Sequence, residues 1–131
     1  MANTQTELIR RGVELFNQGD YYGCHEVFEE AWMDESGSQR LFLQGLIQVA
    51  VALHHLTQHN AKGATRLLAE GLQKLREHQQ AQPWVAVDSL RTGAGRVLEQ
   101  LQSGLPVSLG PDIRIDFVNG SDDGRKVNDV R

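Results

Sequence analysis

The sequence predicts an all-α protein, a compact bundle of about five helices built from antiparallel hairpins and closed by an extended C-terminal strap. Three observations lead there. Residues 41–56, LFLQGLIQVAVALHHL, are apolar around most of a helical circumference, the mark of a helix at the centre of a bundle. Apolar residues recur at helical spacing on either side of it. Capping residues then divide the chain at short intervals. A chain of 131 residues suits one core.

The elements follow in order. Thr4 or Thr6 can cap a first helix that carries Leu8, Val13, Leu15 and Phe16 inward and ends near Gln18, before Gly19-Asp20. Asp20 then caps a second helix, YYGCHEVFEEAWMDE, by accepting from its first-turn N–H groups. Ser36-Gly37-Ser38 breaks the chain, and the central helix runs from about Gln39 to Gln58. Asn60 caps a fourth helix, in which Ala61, Ala64, Leu68, Leu72 and Leu75 share a stripe. Residues 79–82 form a polar linker. Pro83 fits the first turn of a fifth helix, where its missing N–H has no partner to lose; Val87, Leu90, Ala94, Val97, Leu98 and Leu101 supply that helix's buried face.

The helical domain is thus residues 1–104. Residues 105–118 form the strap, with Ile113, Ile115 and Phe117 alternating at strand period but no visible partner strand. Residues 119–131, NGSDDGRKVNDVR, compose a flexible tail. An internal likeness at an offset of 40 residues aligns Asp20–Cys24 with Asn60–Ala64, so two helical hairpins are expected side by side.

Composition narrows the function. The net charge of −4 and the absence of a basic block disfavour nucleic-acid binding. One cysteine, Cys24, fits a reducing cytoplasmic location and offers no disulfide. The N-terminus has no secretory apolar region, and the central run, interrupted by Gln48, falls short of the ~20 apolar residues that span a bilayer.

Candidate chemistry lies between helices two and three. His25 and Glu29 adjoin at i, i+4 on the shoulder of helix two, beside Trp32. His54 sits with Leu43, Ile47 and Ala50 on an apolar flank of helix three, and Gln44, Gln48 and His55 form a polar line there. If the elements converge, His25, Glu29, Trp32, Gln44 and His54 bound a ligand site, with Glu26, Gln48 and His55 as weaker members. His25, Glu29 and His54 would suit a divalent metal such as zinc, with water in the fourth position. The alternative is a non-enzymatic helical interaction module, a homo-oligomer, in which the same three residues form a buried hydrogen-bond network. Three stronger signatures are missing. His25-Glu26-Val27-Phe28-Glu29 has Glu where the zinc-protease motif has its second His. No Glu stands three residues before a His, as di-iron bundles require. No phosphate-binding glycine loop occurs.

The combination HEVFEEAW, a link containing an Arg, FLQGLIQVAVALHHL and a following Asn/Gly-Ala helix resembles the bacterial family called domain of unknown function 309, over roughly residues 8–78. The resemblance implies a compact helical bundle and a shared polar cluster at His25, Glu26, Glu29, Trp32, Gln44, Gly45 and His54. It implies no particular reaction.

Overall fold

The computed structural model describes residues 4–118, and the expected tail at 119–131 lies outside them. Five α-helices follow in order: α1 (Gln5–Asn17), α2 (Tyr21–Met33), α3 (Gly37–Thr57), α4 (Ala61–His78) and α5 (Asp88–Gln102). The protein is an all-α bundle. Three-residue connections turn α1 into α2, α2 into α3 and α3 into α4, and each of these helices packs against its neighbour in sequence. No helix among the described residues is long and apolar enough to cross a membrane.

The caps form as local chemistry dictates. Thr4 Oγ1 accepts from the Glu7 N–H at 3.1 Å while the Glu7 carboxylate accepts from the Thr4 N–H at 3.0 Å, a complete capping box. Asp20 accepts from the Gly23 N–H at 2.9 Å and Asn60 from the Gly63 N–H at 3.1 Å. The repeat is real in space. At both hairpin bends a left-handed residue ends the first helix, Gly19 with φ 86° and His59 with φ 61°. The next amide then reaches back, Asp20 N–H to Leu15 C=O at 2.9 Å and Asn60 N–H to His55 C=O at 2.8 Å.

α3 is the axis. Phe42, Leu43, Leu46, Val49, Ala50, Ala52 and Leu53 are buried, covering most of its circumference; each large side chain contributes roughly 1.5–3 kcal/mol relative to exposure. α3 and α4 approach at Gly45 and Gly71. A Cβ on Gly71 would meet the Gly45 carbonyl at 2.9 Å and Val49 at 2.9 Å. The contact is with backbone, so a side chain there would have to push the helices apart.

Two elements differ from the sequence expectation. Helix five begins at Asp88, so Pro83 is not in its first turn and Val87 is its N-cap residue. After a 3₁₀ turn at Gln79–Ala81 the chain instead forms β1 (Val85–Ala86). The strap, expected to lack a partner, pairs there: β2 (Asp116–Phe117) runs antiparallel to β1, with Val85 opposite Phe117 and Ala86 opposite Asp116. Gln82, read as part of a polar linker, is buried. The boundary of α2 also moves, to Met33, and α3 starts at Gly37 rather than Gln39.

The strap is anchored at several points. Ile113 and Ile115 are buried in the common core. Asn17 on α1 exchanges both hydrogen bonds with the Ile115 backbone, at 2.9 and 3.0 Å. Arg96 on α5 holds the Ser108 carbonyl at 2.7 Å and the Asp112 carboxylate at 2.9 Å. Phe117 stacks on Trp84 with ring centroids 5.7 Å apart, and the Arg10 guanidinium lies 4.9 Å from the Phe117 centroid.

Candidate functional site

From Phe42 to His55, α3 is buried except for one edge, left half-open between α2 and α4. Gln44, Ile47, Gln48, Val51, His54 and His55 form that edge. Across it, α2 presents Tyr22, His25, Glu29 and Trp32 at helical spacing. The face therefore gathers all the stronger sequence candidates. It does not bring them to one point.

The hairpin register separates them. Tyr22 at the start of α2 lies against His54 near the end of α3, with ring centroids 5.4 Å apart. His25 also packs on Tyr22, centroids 4.8 Å apart, and its Nδ1–H donates to the Tyr22 carbonyl. At the opposite end Glu29 and Trp32 share a cavity of about 210 Å³ with Gln44, Ile47 and Gln48. Ten residues of helix separate Tyr22 from Trp32, and ten separate Gln44 from His54, about 15 Å of rise in each case. Antiparallel pairing of Tyr22 with His54 thus places Glu29 along the hairpin, away from His54.

Among the described residues no three His, Cys, Asp or Glu side chains stand together in a metal-holding group, and His25, Glu29 and His54 share one face without meeting at one point. They are also not a hydrogen-bonded network: His25 bonds only the Tyr22 carbonyl, and the side chains of Glu29 and His54 make no hydrogen bond among the described residues. Glu26 is exposed on the far side of α2. The polar line of α3 turns towards α4 and its cap. Gln48 Nε2 donates to Glu70 at 3.2 Å, and His55 Nδ1 lies 3.3 Å from the Asn60 amide.

Two residues that line the cavity each bury a polar side-chain atom that has no hydrogen-bond partner among the described residues, Trp32 Nε1 and Gln48 Oε1. One is a donor and the other an acceptor. Glu70 sets the orientation of Gln48. The Arg66 guanidinium, bonded to Glu70 at 3.0 Å, holds that carboxyl below the usual carboxylate range, with Lys74 and Gln48 adding to the effect. A carboxylate accepts only, so the Gln48 amide must point its NH₂ at Glu70 and its carbonyl oxygen inward. Trp32 is fixed by Arg40, whose guanidinium lies 3.6 Å from the ring centroid and donates to the Trp32 and Glu35 carbonyls at 3.3 and 3.1 Å. Arg40 and Glu70 were not singled out from the sequence as site residues. Arg40 lies outside the apolar run, and Glu70 is one of two acidic residues on an amphipathic helix, with nothing local to set it apart from Glu77.

Cys24 is fully buried on another face of α2. Burial pushes its thiol well up, and the Asp20 carboxylate adds to the effect. It is therefore a core side chain with no thiolate chemistry at neutral pH.

Five helices with a half-open polar edge define a small helical-bundle protein with an inter-helix cavity. The family that the motifs resemble is matched over part of the chain: residues 9–67 match the model described as "Domain of unknown function (DUF309)". Over 93 residues, 70% of the chain, it is 40% identical to "Uncharacterized protein YpuF" of Bacillus subtilis (strain 168), of which those residues cover 50%. Over 69 residues, 52% of the chain, it is 29% identical to an "Uncharacterized protein" of Aquifex aeolicus (strain VF5), covering 21% of it. The chain thus spans half or less of the length of these curated relatives.

Proposed function

We propose that the α2–α3 edge is a recognition site for a small molecule carrying a carboxamide beside a cationic or donor-rich group, and that the chain is a ligand-binding module. The supporting observation is the complementary pair of unpartnered buried atoms on two residues of one cavity, Trp32 Nε1–H and Gln48 Oε1. Leaving such a group unpaired costs about 1–3 kcal/mol. Once the two side chains turn to open these closed-off atoms to the cavity, a carboxamide supplies the acceptor that Trp32 lacks and the donor that Gln48 lacks. The Glu29 carboxylate, exposed at the same cavity and unpaired among the described residues, favours a positive neighbouring group. Ile47 gives an apolar wall. The reading is of binding alone: it assigns no nucleophile and no acid–base pair to the cavity.

Glycinamide, which carries both an amide and an ammonium, is the direct probe. Its titration into the ¹⁵N-labelled protein is expected to shift the Trp32 indole N–H resonance saturably and to leave that of Trp84 in place. Gln48→Leu should weaken the response about tenfold, the worth of one buried hydrogen bond of ~1.4 kcal/mol. An unmoved Trp32 resonance, or an equal response in the Gln48→Leu variant, sinks the reading.

A further inference from the structure

A second cavity lies outside the family match, between α4 and α5, with a volume of about 630 Å³. That is the size of a metabolite site. Both helices present it in the same rhythm. Ala69, Leu72, Gln73 and Arg76 stand at i, i+3, i+4 and i+7 on α4, and Asp88, Arg91, Thr92 and Gly95 repeat that spacing on α5. Each set is therefore one continuous stripe of its helix. The two stripes put two guanidiniums, an amide and a hydroxyl over an apolar base of Ala69, Leu72 and Leu98.

We propose that this cleft binds an organic anion, a carboxylate or phosphate monoester borne on an apolar body. Two observations carry it beyond a patch of surface charge. The first concerns the arginines. Arg91 donates one bond, to Gln79 Oε1 at 2.7 Å, which steadies the guanidinium and leaves its remaining N–H groups free among the described residues. Arg76 makes no hydrogen bond or ion pair among the described residues. A planar fork of N–H donors matches an oxyanion bidentately. The second is Gly95. A Cβ built there meets no atom within 4 Å, so the cleft is open at its own wall. A side chain at that position would fill it. Among the described residues Asp88 is the one acidic group in the lining, so the two arginines leave a net positive charge there. Its carboxylate is an acceptor for a hydroxyl or amine on the same ligand.

Gly95 also supplies a variant in which loss of binding cannot be mistaken for loss of fold. Gly95→Phe projects a ring into the open space, and replacing an interior helical glycine removes a helix-propensity penalty. Titration of the full chain with phenyl phosphate, and separately with benzoate, is followed by ¹⁵N NMR at low ionic strength. At least one probe is expected to bind saturably with shifts centred on the Thr92 and Gly95 amides, while benzyl alcohol, which lacks the anion, does not. Arg76→Ala should raise Kd about tenfold, and Gly95→Phe should abolish binding with its thermal midpoint unchanged or raised. Neither probe binding, or both variants binding as the parent does, overturns the proposal. The Trp32 indole resonance is expected to stay in place throughout, which keeps this site separate from the α2–α3 cavity.

Discussion

At the residue scale, what the sequence shows best is what depends on a few neighbouring atoms. Thr4, Asp20 and Asn60 are legible as caps because a cap needs only a short polar side chain and the three amides after it. Cys24 is legible as core for a similar reason, since it falls on the Phe28 face of its helix. Its burial carries a pH consequence. The folded thiol titrates above its unfolded value, for which about 8.5 is ordinary. The folded state therefore holds a proton that the unfolded chain releases once the pH passes that value. The contribution is complete below about pH 8.5 and falls above it, by up to ~1.4 kcal/mol for each pH unit. Tyr21, also raised, first by burial and then by Cys24, acts in the same direction near and above pH 10. Urea unfolding at pH 7 to 10 should show a steeper alkaline loss in the parent than in Cys24→Ala. Parallel slopes would mean that the thiol is not protected by burial.

At the element scale, the hairpins repeat more closely than their sequences do. Gln18-Gly19-Asp20 and Gln58-His59-Asn60 build the same bend, with the same back-reaching amide and the same cap on the third residue after it. The difference is at the left-handed position, where glycine occurs in one copy and histidine in the other. A side chain with a Cβ is strained there by about 1–2 kcal/mol, and glycine gives back part of that through the freedom it adds to the unfolded chain. His59→Gly is expected to stabilise the protein by about 0.5–1 kcal/mol, read from the shift in urea midpoint. A destabilised variant would show that the His59 side chain does more for the bend than its conformation costs. The fifth helix shows where reading elements alone stops. Pro83 is a good first-turn residue, and nothing local distinguishes that role from the turn before a strand. The choice is made by residues 116–117, about thirty positions later, which pair with Val85 and Ala86. The site behaves likewise. Which faces of α2 and α3 are polar is legible from a helical wheel; which rows meet is set by hairpin register, and register placed His54 against Tyr22 rather than Glu29.

At the scale of the whole molecule, the strap links the ends of the bundle. α1 and α5 are not sequence neighbours, and the alternation of Ile113, Ile115 and Phe117 tells only that an extended segment has one apolar face. What the segment does depends on distant partners: Asn17 and Arg10 on α1, Trp84 before α5, and Arg96 on it. Asn17 is the critical contact. It answers both backbone groups of Ile115, a residue only 1% exposed, so its removal leaves a donor and an acceptor shielded from water. Such a pair costs more than the hydrogen bonds themselves contribute, about 1–3 kcal/mol for each group left unpaired. Asn17→Ala should therefore cost at least about 2 kcal/mol in urea unfolding, although Asn17 itself is an exposed residue at a helix end. Ile115→Ala should cost about 2–5 kcal/mol by opening a cavity. Because the two mutations remove the same anchorage, the double variant should lose less than the sum of the singles. Hydrogen exchange should show the Ile115 and Val118 amides losing protection in either variant before those of α3. Strict additivity, or a loss for Asn17→Ala within ~0.5 kcal/mol, would mean that the strap is held by its β1 pairing and the Trp84 stack and that α1 is not tied to it.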